Sequence, residues 1–106
     1  MKKIGKITWN GELLDVVEST YQSNDNVALM LMDIDGAPYG VASVNLDNVP
    51  LMDNKNFTHI KNWSENEGVL EALVEADLVE EIGVRTATGF VQADLVRLKY
   101  KRNNSQ

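Results

Sequence analysis

The chain has no cysteine, so disulfide staples, thiolate nucleophiles and cysteine-based zinc sites are all excluded, a usage that suits a reducing cytoplasm. Its single histidine, His59, has no second ligand-type residue near it at metal-ligand spacing, and any serine nucleophile would depend on it for a base. No apolar run approaches the roughly 20 residues of a membrane span. The N-terminus, MKKIGKITWNGE, has lysines but no apolar stretch behind them, so a signal peptide is not expected. Gly83 and Gly89 stand six apart, with neither a GxGxxG run nor a Walker lysine, so no phosphate loop is present.

Base is also missing over long stretches. From Ile7 to Asn54 there are eight acidic residues and no basic one, and from Asn62 to Val84 seven more, again without a base. Fifteen of the sixteen acids therefore lie in two base-free blocks of a chain whose net charge is −6. Ordinary surfaces intersperse the signs. The plain reading is a solvated, solubilising surface. The sharper reading is a partner with a basic groove, since complementary fields speed and select encounters. Direct nucleic-acid binding is disfavoured, because the main basic clusters, Lys2, Lys3 and Lys6 and then Arg97, Lys99, Lys101 and Arg102, sit at the chain ends.

What remains is an average globular composition, 43% hydrophobic and 25% charged over 106 residues, which describes one domain with one modest core. Order is expected over about residues 3–100, followed by a polar tail at 101–106. Lys3 to Thr8 reads as a strand, and Asn10-Gly11 is a strong hairpin signal that lets Leu13 to Tyr21 pair back. Val27 to Ile34, apolar on both faces, reads as the central strand. Asp35-Gly36 makes a turn, and Pro38 opens a further strand, Tyr39 to Leu46. Between Asp47 and Asn56, Val49, Pro50, Leu51 and Met52 are expected to tuck against the core. Phe57 to Ile60 is a short strand or a lead-in, Val79 to Gly89 a connecting segment, and Phe90 to Tyr100 a final strand.

One helix is expected, between Asn62 and Leu78. Val69, Leu70, Leu73, Val74 and Leu78 form an apolar stripe at three- and four-residue steps. Ser64 followed by Glu67 has the form of a capping box. Glu67, Glu71 and Glu75 stack at steps of about 6 Å on another face, where like charges cost roughly 0.2–0.5 kcal/mol per pair. The strands and the helix together describe an α+β domain, an antiparallel sheet of about four to six strands with one helix packed on one face.

Candidate chemistry is thin. Asp33-Ile34-Asp35-Gly36 starts like a calcium loop but lacks the closing glutamate, and a hairpin suits it better. Glu80 and Glu81 are adjacent carboxylates with nothing to mark an apolar pocket that would raise either pKa. Neither an enzyme nor a cofactor is expected.

Several short segments resemble a family of small accessory proteins carried by phages, plasmids and conjugative elements of gut bacteria. They are Asp35-Gly36-Ala37-Pro38-Tyr39, Val44-Asn45-Leu46, Asn62, Leu78-Val79-Glu80-Glu81, and Thr88-Gly89-Phe90-Val91 leading to Arg97-Leu98. Where the family pattern has arginine directly after the glycine, this chain has Val84, with Arg85 one later. The resemblance implies a setting rather than an activity: mobile elements, among which small acidic inhibitors of host defence nucleases are common.

The leading expectation is therefore a non-enzymatic, host-cytoplasmic inhibitor of the anti-CRISPR or antirestriction kind. It would present Glu67, Glu71, Glu75, Asp33 and Asp35 to a host protein with a basic nucleic-acid groove. The alternatives are a small-ligand binder that sequesters a defence-signal nucleotide, with Arg85, Arg97, Lys99 and Trp63 as its site, and a plain structural or oligomerising module. A homodimer through a sheet edge is compatible with each.

Overall fold

The computed structural model describes residues 1–47 and 55–100. The expectations for Val49–Met52 and for the tail fall outside these residues. Strands β1 (Lys2–Trp9) and β2 (Glu12–Thr20) are joined by Asn10 and Gly11 at φ 55° and 76°. Both central residues of the turn are left-handed, the geometry for which Asn-Gly is favoured because its twist matches the flanking strands. Trp9 pairs with Glu12, and Ile7, Trp9, Leu14 and Val16 turn inward. Strand β3 (Val27–Asp33) lies between β2 and β4 (Pro38–Val41) and buries Val27, Leu29 and Leu31. At its end Asp33 Oδ1 accepts the N–H groups of Asp35 (2.9 Å) and Ala37 (3.0 Å). The carboxylate that suggested a calcium loop is a turn brace.

The strand expected from Tyr39 to Leu46 is divided. It serves β4 and then β5 (Ser43–Val44), with fully buried Ala42 between them. Ala42 donates its N–H to Leu29 O (2.8 Å) on the first sheet and accepts the N–H of Lys61 (2.8 Å) beside the second. One extended segment therefore passes the chain from one sheet to the other. The second sheet has the order β5-β6-β8-β7, with β6 at Phe57–Ile60, β7 at Val79–Thr88 and β8 at Val91–Leu98. Among the described residues there are thus eight strands in two four-stranded antiparallel sheets rather than one sheet of four to six.

The segment from Val79 to Gly89, read as a connection, is the edge strand β7. It escapes pattern reading because Glu81 to Arg85 are all exposed and its ladder to β8 is bulged there around Gly83, at φ 87°. An edge strand with a bulge shows neither alternation nor continuous apolar character.

The helical segment is also divided. A 3-10 turn covers Ser64–Asn66, and helix α1 runs only from Val69 to Glu75. Ser64 makes no capping bond. Asn62 takes that role from a distance, its Oδ1 accepting the N–H groups of Gly68 and Leu70 at 3.0 Å each. Gly68 stands at φ 96°, and a Cβ there would meet Trp9 Nε1 at 3.3 Å. Only glycine suits both demands. Trp9 Nε1–H in turn donates to Glu67 O (3.0 Å).

Helix α1 buries Val69, Leu70, Ala72 and Leu73, whereas Val74, expected in the stripe, is exposed. With only two turns, the buried arc is set by what the helix faces. It touches β1 and β7, one edge strand of each sheet, and its buried residues join one core cluster with those of both sheets. No helix among the described residues is long and apolar enough to cross a membrane.

Candidate protein-binding face

Glu71 and Glu75 lie one turn apart on the exposed side of α1. They line a groove of about 440 Å³ with Thr8, Trp9, Asn10 and Val74, and Glu81 of β7 lines it too. Glu67 precedes the helix and shares with Glu71 an adjoining depression beside Trp63. The two hollows have Gly68 and Glu71 in common. The structure therefore gathers Glu67, Glu71 and Glu75 and adds Glu81. Sequence spacing had no means of finding Glu81, because β7 approaches the helix only through the fold.

No basic residue lines either hollow. Glu71 receives a long contact from Asn62 Nδ2 (3.4 Å), and Glu67, Glu75 and Glu81 have no side-chain partner among the described residues. Asp33 and Asp35 lie elsewhere, on the β3–β4 hairpin. Asp33 pairs with Leu14 and Glu12 with Trp9, so this hairpin tip shares an end of the first sheet with the Asn10-Gly11 turn. Asp33 is occupied by its turn. Asp35 remains a tip residue near that end.

The residues suggested for an anionic ligand are not brought together. Arg85 is tied to Asp94 (3.2 Å), Arg97 to Glu80 and Lys99 to Asp77. Trp63 stands in the acidic depression. These cations face neighbouring strands and loops rather than a shared cavity, so they form no cationic pocket with Trp63. At the other end of the chain, a hydrogen bond from Lys6 (2.6 Å), with Lys3 behind it, holds the Asp15 carboxyl below its ordinary value.

A third hollow of about 640 Å³ was not anticipated. Trp9 and Tyr39 meet edge to face in its wall, with ring centroids 6.1 Å apart and planes at 76°. Tyr21 and Ser43, bonded through their hydroxyls at 2.8 Å, stand farther along it. Lys61, bound to Glu65 at 2.7 Å, and Asn66 complete its polar side. These residues come from β1, the segment just after β2, β4, β5 and the approach to α1, and no local pattern links them. Trp9 and Asn10 belong to this hollow and to the acidic groove alike.

His59 is fully buried on β6, with Nε2 against Thr86 Oγ1 at 2.8 Å and Nδ1 without a partner. Desolvation lowers its pKa below the ordinary value. Tyr100 is pushed upward, first by burial and then by Glu18. Neither lines the hollows described above. Among the described residues no group of three potential metal ligands comes together. No known family model, curated protein or solved structure matches this chain.

Proposed function

We propose that this chain is a non-enzymatic accessory protein of a mobile element that inhibits a host defence nuclease in the cytoplasm. Its acidic face competes there for a basic nucleic-acid-binding surface. The observation that carries this reading is the convergence of Glu67, Glu71, Glu75 and Glu81 around two joined hollows that contain no base. Like charges gathered without counter-charges cost stability. The core, the cap and the turns of this fold do not need these four residues. A partner's cations would supply the missing compensation.

Charge spacing supports the same reading. Carboxylates one helical turn apart are separated by about 6 Å, whereas one DNA strand presents a phosphate about every 3.4 Å. A single helix face is too sparse to imitate that density. Glu81, lining the same groove as Glu71 and Glu75 but carried by β7, adds a carboxylate from a second element.

The test is DNA cleavage by a panel of RNA-guided nucleases and restriction enzymes in the presence of the protein. Inhibition of at least one is expected, together with its loss on combined Glu67→Lys, Glu71→Lys, Glu75→Lys and Glu81→Lys substitution. Undiminished inhibition by the charge-reversed protein would overturn the acidic-face reading. Asp33 should be left intact, because its substitution disturbs a turn.

A further inference from the structure

The hollow beside the acidic groove has a more selective chemistry than the groove itself. The Nε1–H bond from Trp9 to Glu67 O holds the indole in place, and Tyr39, 44% exposed, presents its ring at the mouth. Asn66 lines the same hollow and is only 5% exposed. Its Nδ2–H donates to Val41 O at 2.7 Å, which orients the amide. Its Oδ1 is left without a partner among the described residues. The residue is nearly buried while this oxygen stays open to solvent, so its position is fixed and an incoming donor can reach it. The single cation of the lining, Lys61, is already engaged by Glu65.

We propose that this hollow is a socket for an arginine side chain of the protein partner. In it the guanidinium stacks on Tyr39 and donates to Asn66 Oδ1, while the adjoining carboxylates take the basic residues on either side. The inference rests on the acidic-face reading and specifies what that face recognises. Arginine is the side chain that combines a flat cationic plane for an aromatic wall with a fan of donors and no acceptor. Lysine offers a compact charge that cannot cover the ring. A neutral aromatic residue would leave the neighbouring negative field unused, and a phosphate would meet the carboxylates of the adjoining groove while Lys61 is held by Glu65. The volume, about 640 Å³, admits an extended arginine with part of its backbone.

The experiment is a titration of the 15N-labelled full chain with two capped peptides of equal charge. Each has flanking lysines, and they differ only in a central arginine or a central lysine. The arginine peptide should bind roughly three- to tenfold more tightly and shift the Asn66 side-chain amide and the Trp9 indole N–H. Tyr39→Leu keeps an apolar neighbour for Trp9 but removes the stacking face, so it should abolish the preference while lysine-peptide binding persists. Tyr39→Phe should retain the preference. Equal binding of both peptides, with shifts confined to the groove of Glu71, Glu75 and Glu81, overturns the socket and leaves the acidic face standing. Binding of neither peptide overturns both.

Discussion

At the scale of single residues, Asn62, Gly68 and Trp9 hold the approach to α1, and none is the one that spacing suggests. Asn62 satisfies two helix N–H groups from six and eight positions upstream. Asn62→Ala should therefore cost about 1–2 kcal/mol in urea unfolding, whereas Ser64→Ala should stay within about 0.5 kcal/mol of the parent. The reverse order would restore the capping box. Gly68→Ala adds a Cβ against Trp9 at a left-handed φ and should cost about 1–3 kcal/mol by the same measurement. His59 supplies a pH dependence. Its folded pKa lies below the ordinary 6.5, so the unfolded chain takes up a proton that the buried ring refuses. Stability is complete above that ordinary value and falls as pH drops towards the folded pKa, by at most about 1.4 kcal/mol per pH unit for one proton. Between pH 7 and 5 the parent should lose urea resistance while His59→Asn, whatever its absolute stability, stays flat over that window. Parallel curves would show that the imidazole does not titrate on unfolding. Asp15 and Glu65, held below ordinary values of 3.8 and 4.5, act only at lower pH.

At the scale of elements, the sequence is legible wherever one physical signal dominates. Asn10-Gly11 announces β1 and β2, continuous apolar character announces β3, and Pro38 marks the start of β4. Legibility fails where the determinant is distant. Ala42 changes sheets because Leu29 and Lys61 bond it from opposite sides, and β7 hides behind its own exposure and bulge. The site divides in the same way. Glu71 and Glu75 follow from helical spacing, while Glu81, Tyr39 and Asn66 join them only through the fold. Because Glu71 and Glu75 make their helix less stable than it could be, stability and function should separate there. Glu75→Lys converts a repulsive four-residue pair into an attractive one and should leave unfolding unchanged or raise stability by about 0.2–0.5 kcal/mol. The same substitution should weaken inhibition in the cleavage assay. If it lowered both together, Glu75 would be a structural residue.

At the scale of the whole molecule, net charge and local arrangement make different claims on binding. A net charge of −6 attracts any basic surface from a distance, over a Debye length of about 10 Å at 0.1 M salt and about 3 Å at 1 M. Ion pairs neutralise Asp15 on β2, Glu80 on β7, Asp94 on β8, Asp77 after α1 and Glu65 before it. Glu67, Glu71, Glu75 and Glu81, which have no such pair among the described residues, keep their charge around the two joined hollows. Long-range steering acts on the association rate, and a desolvated socket acts on dissociation. With any nuclease that the cleavage assay shows to be inhibited, the association rate should fall steeply as salt rises, and much less steeply for the protein reversed at Glu67, Glu71, Glu75 and Glu81. Tyr39→Leu should leave that salt slope intact and speed dissociation. Stopped-flow association and dissociation at several ionic strengths read both effects in one experiment. A salt slope unchanged by reversing the four acids would place the steering field elsewhere on the surface and remove the reason for their convergence.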